Sequence, residues 1–173
     1  MDSKKIENAF FEVIDALDDN SKYKEELKET PKRIADSYRE IFGGIGVDPF
    51  SVLNKTYEVV SDDLIIEKNI DFYSMCEHHF LPFFGTISIA YIPNKKIFGF
   101  GDIIKLIEIL SRRPQLQERL TEEIARYIYE ILNCQGVYVV IDAKHLCMTM
   151  RGQKKENTKI LTTSVKGVFE TSP

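Results

Sequence analysis

Apolar side chains recur over residues 1–45 at helical spacing. Ile6, Ala9, Phe10, Val13, Ile14 and Leu17 fall on one helical face. A second helix is predicted from Thr30 as N-cap, with Pro31 at the first helical position. Ile34, Tyr38, Ile41 and Phe42 supply its apolar side, and Gly43-Gly44 ends it. Beyond Lys55 the pattern changes. Residues 56–60, 64–73 and 83–92 are rich in β-branched and aromatic side chains and predict strands. Helical spacing returns over 102–111 and 115–133, the two segments separated by Ser111-Arg112-Arg113-Pro114, with Leu116, Leu120, Ile124, Ile128 and Ile131 lining the longer one. Strands are predicted again at 137–143 and 159–169.

Helices, then strands, then two helices, then strands describe an α+β layer architecture. No repeat or composition break divides the 173 residues, so one domain is expected, with a helical part over 1–45 and a core over 55–170. Exposed strand edges favour pairing between copies, which points to a homo-oligomer. The most apolar stretch, 80–93, is interrupted by Pro82 and Gly85 and is too short to span a bilayer as a helix. An amphipathic segment follows Met1-Asp2-Ser3-Lys4-Lys5 where a signal peptide would carry an apolar run, so a cytoplasmic protein is expected. The net charge of −4, without a basic block, excludes a general nucleic-acid or membrane-surface binder. Three cysteines point away from a disulfide framework and toward free thiols or metal ligands.

The chemistry is concentrated. All three histidines fall in Cys76-Glu77-His78-His79 and His145-Leu146-Cys147, which also hold two of the three cysteines. Cys76-x-x-His79 lets one turn present two ligands to a cation, and Cys147 supplies a third from a distant segment. Two thiolates and an imidazole are a donor set of catalytic zinc, which leaves a fourth position for water and activates it at neutral pH. His78 and His145 are then candidate proton donors and acceptors. A closed structural zinc site is the competing reading, with His78 or His145 as fourth ligand. Cys134, at the end of an apolar helix, reads as a small core residue. Gln117-Glu118 opens the long helix. A carboxylate there either accepts two hydrogen bonds from N1–H and the exocyclic amine of guanine, or is only a favourable first-turn acid. Arg151-Gly152-Gln153-Lys154-Lys155 is either an anion site or a solvated turn.

Taken together, these segments resemble the GTP cyclohydrolase I family. Ser74-Met75-Cys76-Glu77-His78-His79, followed by Pro82 and Gly85, is similar to its first signature. Ser111-Arg112-Arg113-Pro114-Gln115-Leu116-Gln117-Glu118-Arg119-Leu120-Thr121 is similar to the second, and His145-x-Cys147-Met148-x-Met150-Arg151-Gly152 to the third. Residues 157–169 continue the likeness, and Thr30-Pro31-x-Arg33-Ile34 resembles the N-terminal helix motif. The resemblance implies a T-fold (tunnelling fold) subunit in a ring of five, or a stacked decamer, with sites shared between subunits. It implies zinc on Cys76, His79 and Cys147, with His78 and His145 as the acid–base pair. Glu118 with Gln117 would read the guanine. Water would add to C8, the imidazole ring would open with loss of formate, and the ribose would rearrange to give 7,8-dihydroneopterin triphosphate. His145 is the preferred donor to N7, since protonating that nitrogen makes C8 more electrophilic.

The chain departs from the family pattern at the phosphate end. Where the family carries Ser-Lys-x-x-Arg, this chain has Gly101-Asp102-Ile103-Ile104-Lys105. Lys105 keeps a charge without the bidentate fork of arginine, and Asp102 reverses the sign. A unit charge roughly 5 Å from a phosphate is worth about 3 kcal/mol at an effective dielectric of about 20. Arg151 remains, Arg33 would reach in from a neighbouring subunit, and Lys154 and Lys155 are further cations. Three functions are therefore in view: ring opening of GTP, ring opening of a guanine compound with fewer phosphates, and binding of a pterin or purine by a non-catalytic zinc-stabilised paralogue.

Overall fold

The computed structural model describes residues 1–17, 25–51, 53 and 55–171. The chain divides into two compact units, residues 1–43 and 44–173. In the first, α1 (Ser3–Leu17) and α2 (Thr30–Ile41) carry the two amphipathic patterns. The rings of Phe10 and Tyr38 meet edge to face at 5.6 Å, and Tyr38 meets Phe42 in the same way at 4.9 Å. Arg39 Nε donates to Ser3 Oγ at 2.7 Å. Thr30 is not the N-cap: that position is Glu29, in helical conformation and without a side-chain cap. The chain enters α2 through a turn, so backbone carbonyls take the first N–H groups. Thr30 N–H donates to Leu27 O and Arg33 N–H to Glu29 O, which leaves the hydroxyl no capping work.

The second unit is built on a five-stranded sheet of order β5-β2-β3-β6-β7, with β2 (Ile65–Cys76), β3 (Pro82–Ile92), β5 (Pro114–Gln115), β6 (Gly136–His145) and β7 (Ile160–Gly167). A separate hairpin-like pair joins β1 (Thr56–Glu58) to β4 (Lys96–Phe98). Alternation decides which face is core. Phe83, Ile87, Ile89 and Tyr91 of β3 align with His145, Ile141, Val139 and Val137 of β6, and most of these side chains are fully buried. They pack with Ile103, Leu106, Ile107 and Leu110 of α3 (Phe100–Ser111) and Leu120, Ile124 and Ile128 of α4 (Gln117–Leu132). The mixed α+β architecture expected from the sequence is therefore observed.

Several boundaries moved, and each has a local cause. The long helix was expected from residue 115 but starts at Gln117, because Pro114 and Gln115 pair in parallel with Met75 and Cys76. Strand 64–73 runs on to Cys76, and strand 137–143 to His145, so two candidate site residues are strand ends. Strand 159–169 stops at Gly167, whose φ of +66° turns the chain into a 3-10 segment, Val168–Glu170. The 56–60 strand is only Thr56–Glu58. A short helix, α5 (Leu146–Thr149), was not anticipated. Gly44, read as half of a helix stop, has a second reason to be glycine. A Cβ there would lie 2.0 Å from the carbonyl oxygen of Ile109.

Candidate metal centre

The centre is assembled where three strand ends meet. β2 delivers Cys76, buried, into a turn closed by Phe80 N–H to Cys76 O at 2.9 Å, with Phe80 at φ +52°. Cys76 N–H donates to Leu81 O, and Glu77 N–H to Gln115 O, so the turn is tied to β5. That turn carries His78 and His79, both exposed. From the other side, β6 ends at His145 and passes into α5, which holds Cys147.

The ligand atoms of Cys76, His79 and Cys147 all lie within 4.8 Å of one another, and the two sulfurs are 4.0 Å apart. Two sulfurs bound at about 2.3 Å to one tetrahedral zinc sit roughly 3.8 Å apart, so the donor set and its spacing fit that ion. Burial and the neighbouring Cys76 push the Cys147 thiol up, the strain of two sulfurs sharing a site, which a divalent cation relieves by holding both as thiolates. Among the described residues, neither His78 nor His145 joins this group, so the closed four-ligand alternative lacks its fourth ligand.

His145 instead stacks on Phe83, with centroids 4.7 Å apart and planes within 7°, and its Nε2 is 2.8 Å from Gln117 Oε1. Burial lowers its pKa, partly opposed by the negative charge of Glu118. Glu118 is exposed in the first turn of α4. Gln117 is buried, and its amide points into the protein: Nε2 lies 3.1 Å from Ile141 O, 2.9 Å from Ile160 O and 3.0 Å from Thr162 Oγ1.

The sequence reading missed the groups that brace this region. Arg119 Nη1 donates to Glu77 Oε2 at 2.8 Å, joining the histidine turn to α4, and holds the Glu77 carboxyl below the usual carboxylate range. Gln115 is fully buried. Its Nε2 donates to Leu110 O and Glu123 Oε2, while its Oε1 accepts from Leu116 N–H. Local spacing carries no signal for such contacts, because each partner comes from another element.

The phosphate-end candidates are distributed differently. Asp102, mostly buried in the first turn of α3, pairs with Lys105 at 3.1 Å. Arg151 is exposed in the loop after α5, close enough for its charge to act on the Cys147 thiol. Lys154 and Lys155 are exposed in the same loop. Arg33 is exposed on α2, in the other unit. A cavity of about 420 Å³ lined by Phe11, Ile14 and Leu27 lies in the helical unit and holds none of the candidate site residues.

An open Cys₂His centre with two further imidazoles nearby, on an α+β frame, defines the class: a candidate mononuclear metal site with room for a reacting ligand. The family follows from comparison. A profile of GTP cyclohydrolase I matches residues 6–173. The chain is 83% identical over 171 residues to GTP cyclohydrolase 1 of Fusobacterium nucleatum subsp. nucleatum, covering 99% of this chain and 91% of the relative. It is 48% identical over 170 residues to GTP cyclohydrolase 1 of Finegoldia magna, with 98% and 92% covered. The apo crystal structure of the archaeosine synthase QueF-Like aligns over 62% of this chain and 96% of its own, at 17% identity and a TM-score of 0.47. This chain belongs to the GTP cyclohydrolase I family.

Proposed function

We propose that this protein is a cyclohydrolase that opens the imidazole ring of GTP at C8, releases formate and yields 7,8-dihydroneopterin triphosphate. The convergence of Cys76 and His79, from one turn, with Cys147, from a distant segment, beside the His145–Gln117 pair, carries this reading. The family match along residues 6–173 supports it. Cys76, His79 and Cys147 would hold zinc, which when bound supplies Lewis acidity and an activated water at neutral pH.

The chain's own side chains do the rest. Glu118 accepts N1–H and the exocyclic amine of guanine, a pattern adenine does not offer. His145 gives a proton to N7, and His78 is the second acid–base group. Arg151, Lys105 and, from another subunit, Arg33 face the phosphates, with Asp102 modulating Lys105. We read residues 1–173 as one domain, a helical part over 1–45 and a T-fold core over 55–170, assembled into a ring of five or a decamer. The exposure of Glu118, His78, Lys105 and Arg151 in the single chain supports sites completed by a neighbouring subunit. We place its work in the cytoplasm, where a nucleotide substrate is available.

One observation favours a second reading, ring opening of a guanine compound with fewer phosphates. The Asp102–Lys105 pair already neutralises the lysine that the phosphates would need. Turnover of GTP, GMP, guanosine and guanine by the zinc-loaded protein, followed by formate release and by fluorescence of the oxidised product, separates the two. GTP is expected to be preferred, and His145→Ala to lower its turnover by about 10²- to 10⁴-fold. Turnover confined to the compounds lacking a triphosphate would transfer the assignment to the second reading. Tight binding without formate from any of the four would leave only a pterin- or purine-binding paralogue.

A further inference from the structure

Gln117 sits where the resemblance expects a guanine reader, but its hydrogen bonds are already committed. The residue is 1% exposed. Its two N–H hydrogens face three protein acceptors: Ile141 O at 3.1 Å, Ile160 O at 2.9 Å and Thr162 Oγ1 at 3.0 Å. Two of these are backbone carbonyls, which only accept. Turning the amide over would set Oε1 against both of them, acceptor against acceptor. The orientation is therefore decided by the sheet.

Two threonines reinforce it. Thr121 Oγ1 donates to Gln117 O at 2.7 Å and lies 2.6 Å from Thr162 Oγ1. Since the Thr121 hydrogen is used on that carbonyl, Thr162 donates to Thr121 and accepts from the Gln117 amide. The result is a closed ring of hydrogen bonds from the Gln117 side chain, through both hydroxyls, back to the Gln117 backbone. With Nε2 inside, Oε1 faces His145 Nε2 at 2.8 Å. An amide oxygen cannot donate, so the proton of that bond belongs to His145. Stacking on Phe83 holds the ring plane, and no other described side chain hydrogen-bonds the imidazole.

We infer that Gln117 is a positioning residue that pins the Nε2–H of His145, so that His145 exchanges protons with the substrate through Nδ1. This rests on the ring-opening reading for its substrate, and it narrows base recognition to Glu118. For the acid step Nδ1 first takes up a proton from solvent, giving the imidazolium, and that Nδ1–H bond then breaks as the hydrogen bonds to guanine N7. The electron pair stays on Nδ1, and the positive charge moves from imidazole to purine.

The test uses zinc-loaded protein labelled with [15N]histidine. The chain has three histidines, and His145→Ala identifies the signals of interest in the solid-state nitrogen spectrum. The wild type is expected to show protonated Nε2 and bare Nδ1 at His145. Gln117→Met should mix the two tautomers and lower kcat about 10- to 100-fold, the usual scale for a group orienting a reacting residue, while KM and zinc content hold. Thr162→Val, a gentler change, should shift both readouts in the same direction by less. A wild-type spectrum with hydrogen on Nδ1 and a bare Nε2 overturns the inference, and so does a Gln117→Met enzyme with raised KM and intact kcat. Wild-type protein that shows Nε2–H yet releases no formate from any guanine compound would remove the ring-opening reading and leave the tautomer assignment standing.

Discussion

Glu67 sits on the core face of β2, opposite Ile89, with Oε1 buried and unpartnered among the described residues. Burial pushes its carboxyl up from 4.5 to about 7, and its charge helps burial hold the nearby Tyr91 hydroxyl at about 12. The folded state thus binds a proton more tightly than the unfolded one. Below pH 4.5 both states are protonated and Glu67 makes no difference. As pH rises toward 7 the folded protein is progressively penalised, and above that the penalty is constant. The full shift would correspond to about 3 kcal/mol, which partial solvent screening trims to about 1–2 kcal/mol. Glu67→Gln should therefore raise the urea midpoint at pH 8 and change it little at pH 4.5. Equal effects at both pH values would mean that the carboxyl is not desolvated. None of this was legible beforehand, since a glutamate between Ile66 and Lys68 gives no sign that a bulge beyond it, before Ile70, resets the alternation.

Between elements, the decisive contacts are polar and few. Gln115 accepts the first N–H offered by the entry to α4 and donates to Leu110 O near the end of α3. It thereby holds the two core helices and, through its pairing with Cys76, the strand end that carries a candidate ligand. Gln115→Met keeps the volume but strands the buried Leu110 carbonyl and the part-buried Leu116 N–H. A loss of about 2–4 kcal/mol is expected, read as a lower urea midpoint with an unchanged slope. The Glu77–Arg119 pair is open to solvent, so screening leaves it little weight in stability. Periodicity located both helices and the main strands because core burial imposes periods of 3.6 and 2 on apolar residues. It did not locate β4, β5 or α5, whose two to four residues are too few for a period to register and exist through their partners.

For the molecule as a whole, a metal held by Cys76, His79 and Cys147 would couple distant parts. Cys76 and Cys147 are 71 residues apart in sequence, so one ion bound there would join the end of β2 to the segment after β6. Chelation of the zinc-loaded protein should lower Tm, and added zinc should restore it, because an ion that prefers the folded state stabilises it by mass action. Cys147→Ser should cut bound zinc, measured by elemental analysis, and formate release together. Full zinc occupancy in that variant would mean that Cys147 is not a ligand. Light scattering should return five or ten times the protomer mass, and a monomer that is active on GTP would refute the shared-site proposal.

The kinds of element, the α+β order and the donor types could all be read along the chain. Those follow from short-range rules: the period of burial, and the reach of one turn that brings residues 76 and 79 together. Three segments carried enough specific residues to mark the family. It took the folded chain to reveal that Cys147 meets Cys76 and His79, that Asp102 pairs with Lys105, and that Gln117 turns inward. The physical reason is the same in each case. A side chain at a helix start has two ways to satisfy its polar atoms, solvent or neighbour, and which prevails depends on how the helix is rotated against a sheet assembled from distant residues. For Gln117 that rotation presents two carbonyls and a hydroxyl, and the residue becomes part of the frame behind His145.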